Sequence, residues 1–301
     1  MSYMRTKEVY RLINSLVEHP DRCSAIKTVW IGIGDRSIGP FRSFAVRMVQ
    51  KLPRVEFLRL WDCRWESGQL HAQVFLHITL TFGSITKLQL LGVTFPSAIV
   101  FGRLVRVLPR LSSLKCWKVH FKTSELPSDD VFDFLASIDV HLRHLTCYEN
   151  DLQKLSDLLP VTAKSLLSLK IWLLCRAPSM DLTPAVNLRV LALDSHLEDI
   201  TEATSLLSRA SLPNLVGVTM NLEPLDGATL VSVQDRLNSI DSFAKMDRIL
   251  SDRQFPALRN VAFLLRYGIR FSHPPEVISE GYWRTLLSSK LPALHASGRL
   301  L

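Results

Sequence analysis

Four aromatic residues, Trp61, Trp117, Tyr148 and Trp172, each follow a fixed local pattern in this chain. Two positions before them stand Arg59, Lys115, Thr146 and Lys170. Residues two apart on an extended strand face the same side, so rings and cations are expected on one surface. The chemistry this suits is non-covalent. Broad rings supply contact area, and Arg or Lys beside them engage carboxylates, the composition of a protein-binding hot spot. The bland alternative is that these rings pack on one another, or under a terminal extension, and recognise nothing. Arg59, Trp61, Lys115, Trp117, Tyr148, Lys170 and Trp172 are therefore the candidate partner-binding residues.

Two other constellations have spacing of chemical interest. His141, His144 and Cys147 run H-x-x-H-x-x-C, which on a helix would gather metal ligands. Leu142, Leu145 and Cys147 fit a strand register instead, which puts His144 and Cys147 on opposite faces. Gly32, Gly34 and Gly39 mimic a dinucleotide turn, with Asp62 where a ribose-binding acid would sit. Their spacing is G-x-G-x-x-x-x-G, which misplaces the third glycine for close helix packing. A flexible first-repeat loop is the expectation there. No H-E-x-x-H, P-loop, G-x-S-x-G or kinase signature occurs. The reading is a non-enzyme with no cofactor, no metal and no catalytic residue.

The elements that must position the aromatic and basic residues repeat along the chain. Leu52-Pro53-Arg54-Val55 then Leu58-x-Leu60 is echoed by Leu108-Pro109-Arg110-Leu111 then Leu114-x-Cys116. Leu212-Pro213-Asn214-Leu215 then Val218-x-Met220, and Phe255-Pro256-Ala257-Leu258 then Val261-x-Phe263, follow the same rule. The central apolar markers are Val29, Leu58, Leu88, Leu114, Leu145, Leu169, Leu191, Val218 and Val261. They are separated by 29, 30, 26, 31, 24, 22, 27 and 43 residues. Apolar-x-x-apolar-x-apolar at roughly 20 to 29 residues is the strand signature of a leucine-rich repeat. Between strands the period changes to 3.6, as with Phe41, Phe44, Ala45 and Met48 on one helical face. Ser128-Asp129-Asp130 reads as a capped helix start running through Ile138.

The predicted fold is α/β: an irregular leucine-rich-repeat solenoid, or horseshoe, with a parallel sheet on the concave side and helices on the convex side. One domain is expected over 1–301. An N-terminal capping helix is placed at 1–20 on Val9, Leu12, Ile13, Leu16 and Val17. About nine repeats occupy 26–265, with a long helical insertion near 226–250. A C-terminal cap falls at 276–301, on Trp283, Leu286, Leu287, Leu291 and Leu294. In register, Trp61, Leu91, Trp117, Tyr148 and Trp172 form one ladder, with Arg59, Lys115 and Lys170 beside it.

Phe82-Gly83-Ser84-Ile85-Thr86-Lys87-Leu88-Gln89-Leu90, Val93-Thr94-Phe95 and Leu108 to Leu114 together resemble the leucine-rich-repeat region of fungal, basidiomycete-like F-box-type proteins. The closing Leu291-Pro292-Ala293-Leu294-His295-Ala296-Ser297-Gly298-Arg299-Leu300 is similar to their C-terminal ending. In that family a helical F-box docks on the adaptor of a cullin-based ubiquitin ligase, and the repeats hold the substrate. The resemblance implies a substrate-recognition arm. No Leu-Pro-x-Glu-type helical opening precedes Val29 here, so a truncated member, or one that only binds, is expected.

Composition narrows the partner. The net charge is +8, from 36 basic and 28 acidic residues, which suits a protein partner with an acidic surface. No Lys/Arg run of five or more occurs, which disfavours nucleic acid. The five cysteines are widely spaced, without a C-x-x-C pair, so reduced thiols are expected. No apolar run approaches the roughly 18 residues of a membrane span, and the N-terminus lacks a signal-peptide core. A soluble intracellular protein, cytoplasmic or nuclear, is the expectation. Two alternatives stay open: a small-ligand-binding or enzymatic α/β protein using the Gly32–Gly39 loop, and an anion or nucleic-acid binder.

Overall fold

The computed structural model describes residues 6–65, 72–122, 141–148, 159, 162–173, 181–224, 235, 237, 241–266 and 279–301. They pack as two compact units, Met1–Thr162 and Ala163–Leu301. The helix read from Ser128 and the cysteine at 175 lie outside the described residues.

The recurring Leu-Pro-x-Leu segment is a tight turn. Val55, Leu111, Leu215 and Leu258 each donate their N–H to the carbonyl three residues earlier, on Leu52, Leu108, Leu212 and Phe255. Proline at the second position presets the φ this turn needs and loses no ladder bond. The apolar residues at both ends of each turn are buried, so one four-residue motif sets the direction of the next strand and anchors it in the core. The two residues that open each strand then share one carbonyl of the preceding repeat: Thr86 and Lys87 donate to Glu56 O, and Ser112 and Ser113 donate to Thr86 O.

In the first unit the strands are β1 (Thr28–Ser37), β2 (Phe57–Arg64), β3 (Lys87–Leu91), β5 (Ser113–Trp117) and β7 (His144–Tyr148). They pair in parallel in that order. Val29, Leu58, Leu88, Leu114 and Leu145 fall in one row, and all five are buried. The marker spacing therefore reports the true register. A left-handed residue recurs at the same point of successive repeats: Asp62 within β2 at φ 48°, and Gly92 and Lys118 directly after β3 and β5 at 62° and 53°. This step turns the chain into the short strands β4 (Thr94–Phe95) and β6 (His120–Phe121), which pair with each other.

Helices α1 (Thr6–Glu18), α2 (Gly39–Arg47), α3 (Ala72–Phe82) and α4 (Ala98–Arg106) lie between or before these strands. The predicted face of α2 holds: Phe41, Phe44, Ala45 and the following Met48 are all buried. Phe82 of α3 stacks on Phe41 with ring centroids 5.6 Å apart. On α1, Val9, Ile13 and Leu16 are buried while Val17 is exposed.

The Gly32–Gly39 stretch is not a loop. β1 runs on to Ser37, with a register shift between Gly32 and Arg36, and Arg36 and Ser37 pair with Cys63 and Arg64. Ile38 N–H then donates to Arg64 O at 3.0 Å. Pairing with β2 on both sides of the register shift makes this stretch part of a strand rather than the open turn its glycines suggested.

The second unit stacks β8 (Ser168–Trp172), β9 (Val190–His196), β10 (Gly217–Glu223) and β11 (Asn260–Leu265) in parallel. Leu169, Leu191, Val218 and Val261 form its core row. Helix α5 (Ile200–Arg209) returns from β9 to β10, and α6 (Ser242–Ser251) precedes β11. The rest of the 226–250 insertion falls largely outside the described residues. Helices α7 (Glu280–Lys290) and α8 (Pro292–Ala296) close the unit, burying Leu287, Leu291 and Leu294. The last residues also pair with β11: Val261 N–H donates to Arg299 O, and Leu301 N–H to Val261 O. An open strand edge is covered in this way.

Candidate functional site

The outward positions of the first unit form three rows. Thr28, Phe57, Lys87, Ser113 and His144 make one, and Trp30, Arg59, Gln89, Lys115 and Thr146 the next. Gly32, Trp61, Leu91 and Trp117 make the third, and Tyr148 stands against its end. No Asp or Glu occupies any of these positions, whereas Arg59, Lys87 and Lys115 do.

In the third row Trp61 is half-buried beside Gly32, where a Cβ would lie 3.7 Å from Trp61 Cε3. Leu91 is buried. Trp117 and Tyr148 stack with ring centroids 5.6 Å apart and planes at 24°. Lys118 Nζ sits 5.6 Å from the Trp117 ring. Rings of this size, half exposed and already ordered by stacking, lose little entropy when a partner covers them.

The middle row holds Arg59 firmly. Its Nε donates to Gln89 Oε1 at 2.5 Å, and its Cζ lies 4.3 Å from the centre of the Trp30 ring and 5.7 Å from that of Phe57. Trp30 is 54% exposed and Gln89 only 7%. Lys115, one strand beyond Gln89, is exposed.

The remaining two candidates, Lys170 and Trp172, belong to the second unit, where the surroundings differ. Lys170 Nζ lies 2.8 Å from Asp194 Oδ2, and Asn221 Nδ2 donates to Asp194 Oδ1 at 2.5 Å. Asp194 is buried, so the Lys170 charge already has a counter-ion. The Trp172 and His196 rings meet nearly at right angles, 6.5 Å between centroids. Lys170 thus differs from Arg59, which holds the same position of the repeat but is fixed by an amide and two rings.

Trp30 and Gln89 were legible as members of the Arg59 row yet were not singled out, because neither follows the aromatic-plus-cation spacing. Lys118 needed the left-handed step after Trp117. His144 is exposed and Cys147 buried, on opposite faces of β7. Among the described residues no group of three His, Cys, Asp or Glu is placed to hold a metal.

A cleft of about 480 Å³ lies in the C-terminal helices, lined by Arg284, Leu287, Ser288, His295, Leu300 and Leu301. Ser288 Oγ is 3.3 Å from His295 Nδ1, a spacing seen in nucleophile–base pairs. The same hydroxyl donates to Arg284 O at 2.9 Å. Its proton is directed at a helix carbonyl rather than at the imidazole.

Comparison with known proteins agrees with this architecture. The chain is similar in structure to the leucine-rich repeat-containing protein LegL7 from Legionella pneumophila. The TM-score is 0.53 at 17% identity, over 94% of this chain and 86% of that one. No family model matches the chain, and no curated protein does. The fold is that of an α/β leucine-rich-repeat solenoid. No helix among the described residues is long and apolar enough to cross a membrane.

Proposed function

We propose that this chain is a protein-interaction module that grips an acidic protein partner on the outward face of β1, β2, β3, β5 and β7. Trp61, Trp117 and Tyr148 supply the apolar contact, and Arg59 and Lys115 meet the partner's carboxylates. The observation that carries this is the stacked Trp117–Tyr148 pair beside strand rows that contain cations and no acid. A row of ordered, half-exposed rings flanked by Arg and Lys is where hot-spot energy concentrates. In the second unit Trp172 extends the aromatic inventory, while Lys170 orders Asp194 rather than reaching for a partner.

The finer reading is that the module is the substrate-recognition arm of an F-box-like ubiquitin-ligase subunit, as its resemblance to that family implies. Affinity purification from the native cell, with wild-type and Trp117→Ala baits side by side, tests both levels. Recovery of the ligase adaptor and cullin with either bait supports the ligase role, and their absence removes it. A partner captured by wild type and lost by folded Trp117→Ala supports the face; equal capture by both baits eliminates it.

A further inference from the structure

We propose that Arg59 is a preorganised carboxylate receptor, whose Nη1–Nη2 edge takes the side chain of an Asp or Glu on an extended segment of a protein partner. This rests on reading the first unit's outward face as a binding surface, and it adds the atom and the chemical group recognised.

Three contacts fix the guanidinium. Gln89 Oε1 accepts from Nε, and Cζ sits over the Trp30 ring with the Phe57 ring farther off. Gln89 is buried, so its amide is itself held in place. An arginine side chain ordinarily gives up rotamer freedom when it binds; here the protein's own fold has already imposed most of that ordering. Once Nε is occupied, the edge that remains is the pair of terminal nitrogens. Among the described residues neither has a partner.

Two N–H groups in one plane match the two oxygens of a carboxylate and form a bidentate, charge-assisted pair. A phosphate monoester presents three oxygens and close to two charges, and is best met by several converging donors. The neighbouring cations do not converge. Lys115 is two strands away from Arg59, a separation of roughly 10 Å, and Lys87 lies diagonally across the β2–β3 pair. They raise the local potential for an anion without closing a phosphate cage. Lys170, at the equivalent repeat position, is already paired with Asp194, whereas the strand rows around Arg59 contain no carboxylate.

Arginine-selective ¹⁵N labelling of the full chain allows a direct test, because the Nε–H bonded to Gln89 marks the Arg59 signal. The probes are acetyl-hexaglutamate amide, its hexaglutamine counterpart, and a peptide of equal length carrying one phosphoserine. Hexaglutamate is expected to shift the Arg59 Nη signals saturably, while hexaglutamine leaves them in place. Arg59→Lys keeps the charge but loses the fork, and is expected to weaken hexaglutamate by at least about tenfold. Binding of hexaglutamate with no change at Arg59, or with equal affinity for folded Arg59→Lys, overturns the proposal. Tighter binding of the phosphoserine probe than of hexaglutamate at Arg59 overturns the choice of carboxylate. A cellular partner lost by Trp117→Ala but kept by Arg59→Lys sinks the receptor and leaves the aromatic face standing.

Discussion

Asp194 on β9 holds Lys170 on β8 across the strand pair, Oδ2 to Nζ, at 2.8 Å, while its other oxygen accepts from Asn221 on β10. One carboxylate therefore joins three adjacent strands on their outward face. Asp194 is almost wholly buried, whereas the Lys170 side chain is about one-third exposed (34%). The carboxylate consequently depends on the lysine more than the lysine depends on it.

Replacing Lys170 by Met strands that carboxylate with a single amide donor. Breaking a buried pair on one side costs about 3–5 kcal/mol, and the partial exposure of Lys170 reduces this to roughly 2–3. Removing both charges, with Lys170→Met and Asp194→Leu together, should restore only part of the loss, since the ion pair's desolvation penalty goes but the buried Asn221 amide loses its acceptor. Urea unfolding of the two single variants and the double variant measures the coupling. A double variant less stable than Lys170→Met would show that the triad contributes through something other than charge.

The strand rows were readable from spacing because the core position of a parallel repeat must be apolar in every copy. Leu58, Leu88 and Leu114 mark their register without any knowledge of the helices between them. What stands opposite an outward residue is a different kind of information. Asp194 and Asn221 occupy the same repeat position as Trp172, and only the three-strand geometry shows that a cation, an acid and an amide meet there. Nor does the spacing of Gly32 and Gly39 reveal that the chain between them pairs with Cys63 and Arg64; glycine permits a turn without requiring one. Arg59 was legible as an exposed cation, but its fixation by Gln89 and Trp30 joins residues 30 positions apart in one direction and 29 in the other.

Gly92 tests the left-handed step. Asp62 and Lys118 adopt positive φ with side chains present, so the conformation alone does not demand glycine. At Gly92 a Cβ would come to 2.3 Å from Asp62 Oδ1, an impossible contact unless Asp62 moves. Gly92→Ala should cost about 2 kcal/mol from backbone and crowding together. In an Asp62→Ala background the same change should cost only the backbone share, about 1 kcal/mol. Chemical denaturation midpoints of the four proteins read the difference. Equal costs in both backgrounds would show that Asp62 yields freely.

Acid pH should loosen the turn that opens at Asp181. Hydrogen bonds from the Thr183 side chain and backbone hold the Asp181 carboxyl below its usual range, opposed by modest burial and helped by Arg209; the backbone bond measures 2.8 Å. A depressed carboxyl contributes stability that is fully present above its unfolded value of about 3.9 and is lost as pH falls through the lower folded value. The Thr183 amide resonance should therefore titrate below about pH 3.9, and an Asp181→Asn variant should lack that titration. A Thr183 midpoint above the ordinary aspartate range would reverse the sign of the effect.

Asp247 ties the C-terminal helices to the second unit from within. It lies on α6, is buried, and accepts the Ala293 and Leu294 N–H groups at 2.9 Å each. These are amides of the first turn of α8, which have no intrahelical acceptor. The carboxylate thus caps a helix more than forty residues away and complements its positive end. Asp247→Asn keeps one acceptor and turns the other into a donor facing a donor, so a loss of about 1–2 kcal/mol is expected. Asp247→Ala leaves the buried Leu294 amide and the part-buried Ala293 amide without a partner and should cost more, about 2–3 kcal/mol. Because α8 leads directly into the residues that pair with β11, the damage should spread to the sheet edge. Hydrogen exchange should therefore accelerate at Ala293 and Leu294 first, and at Val261 and Leu301 with them. Fast exchange confined to the two capped amides would mean that the pairing of the chain end with β11 holds without the cap.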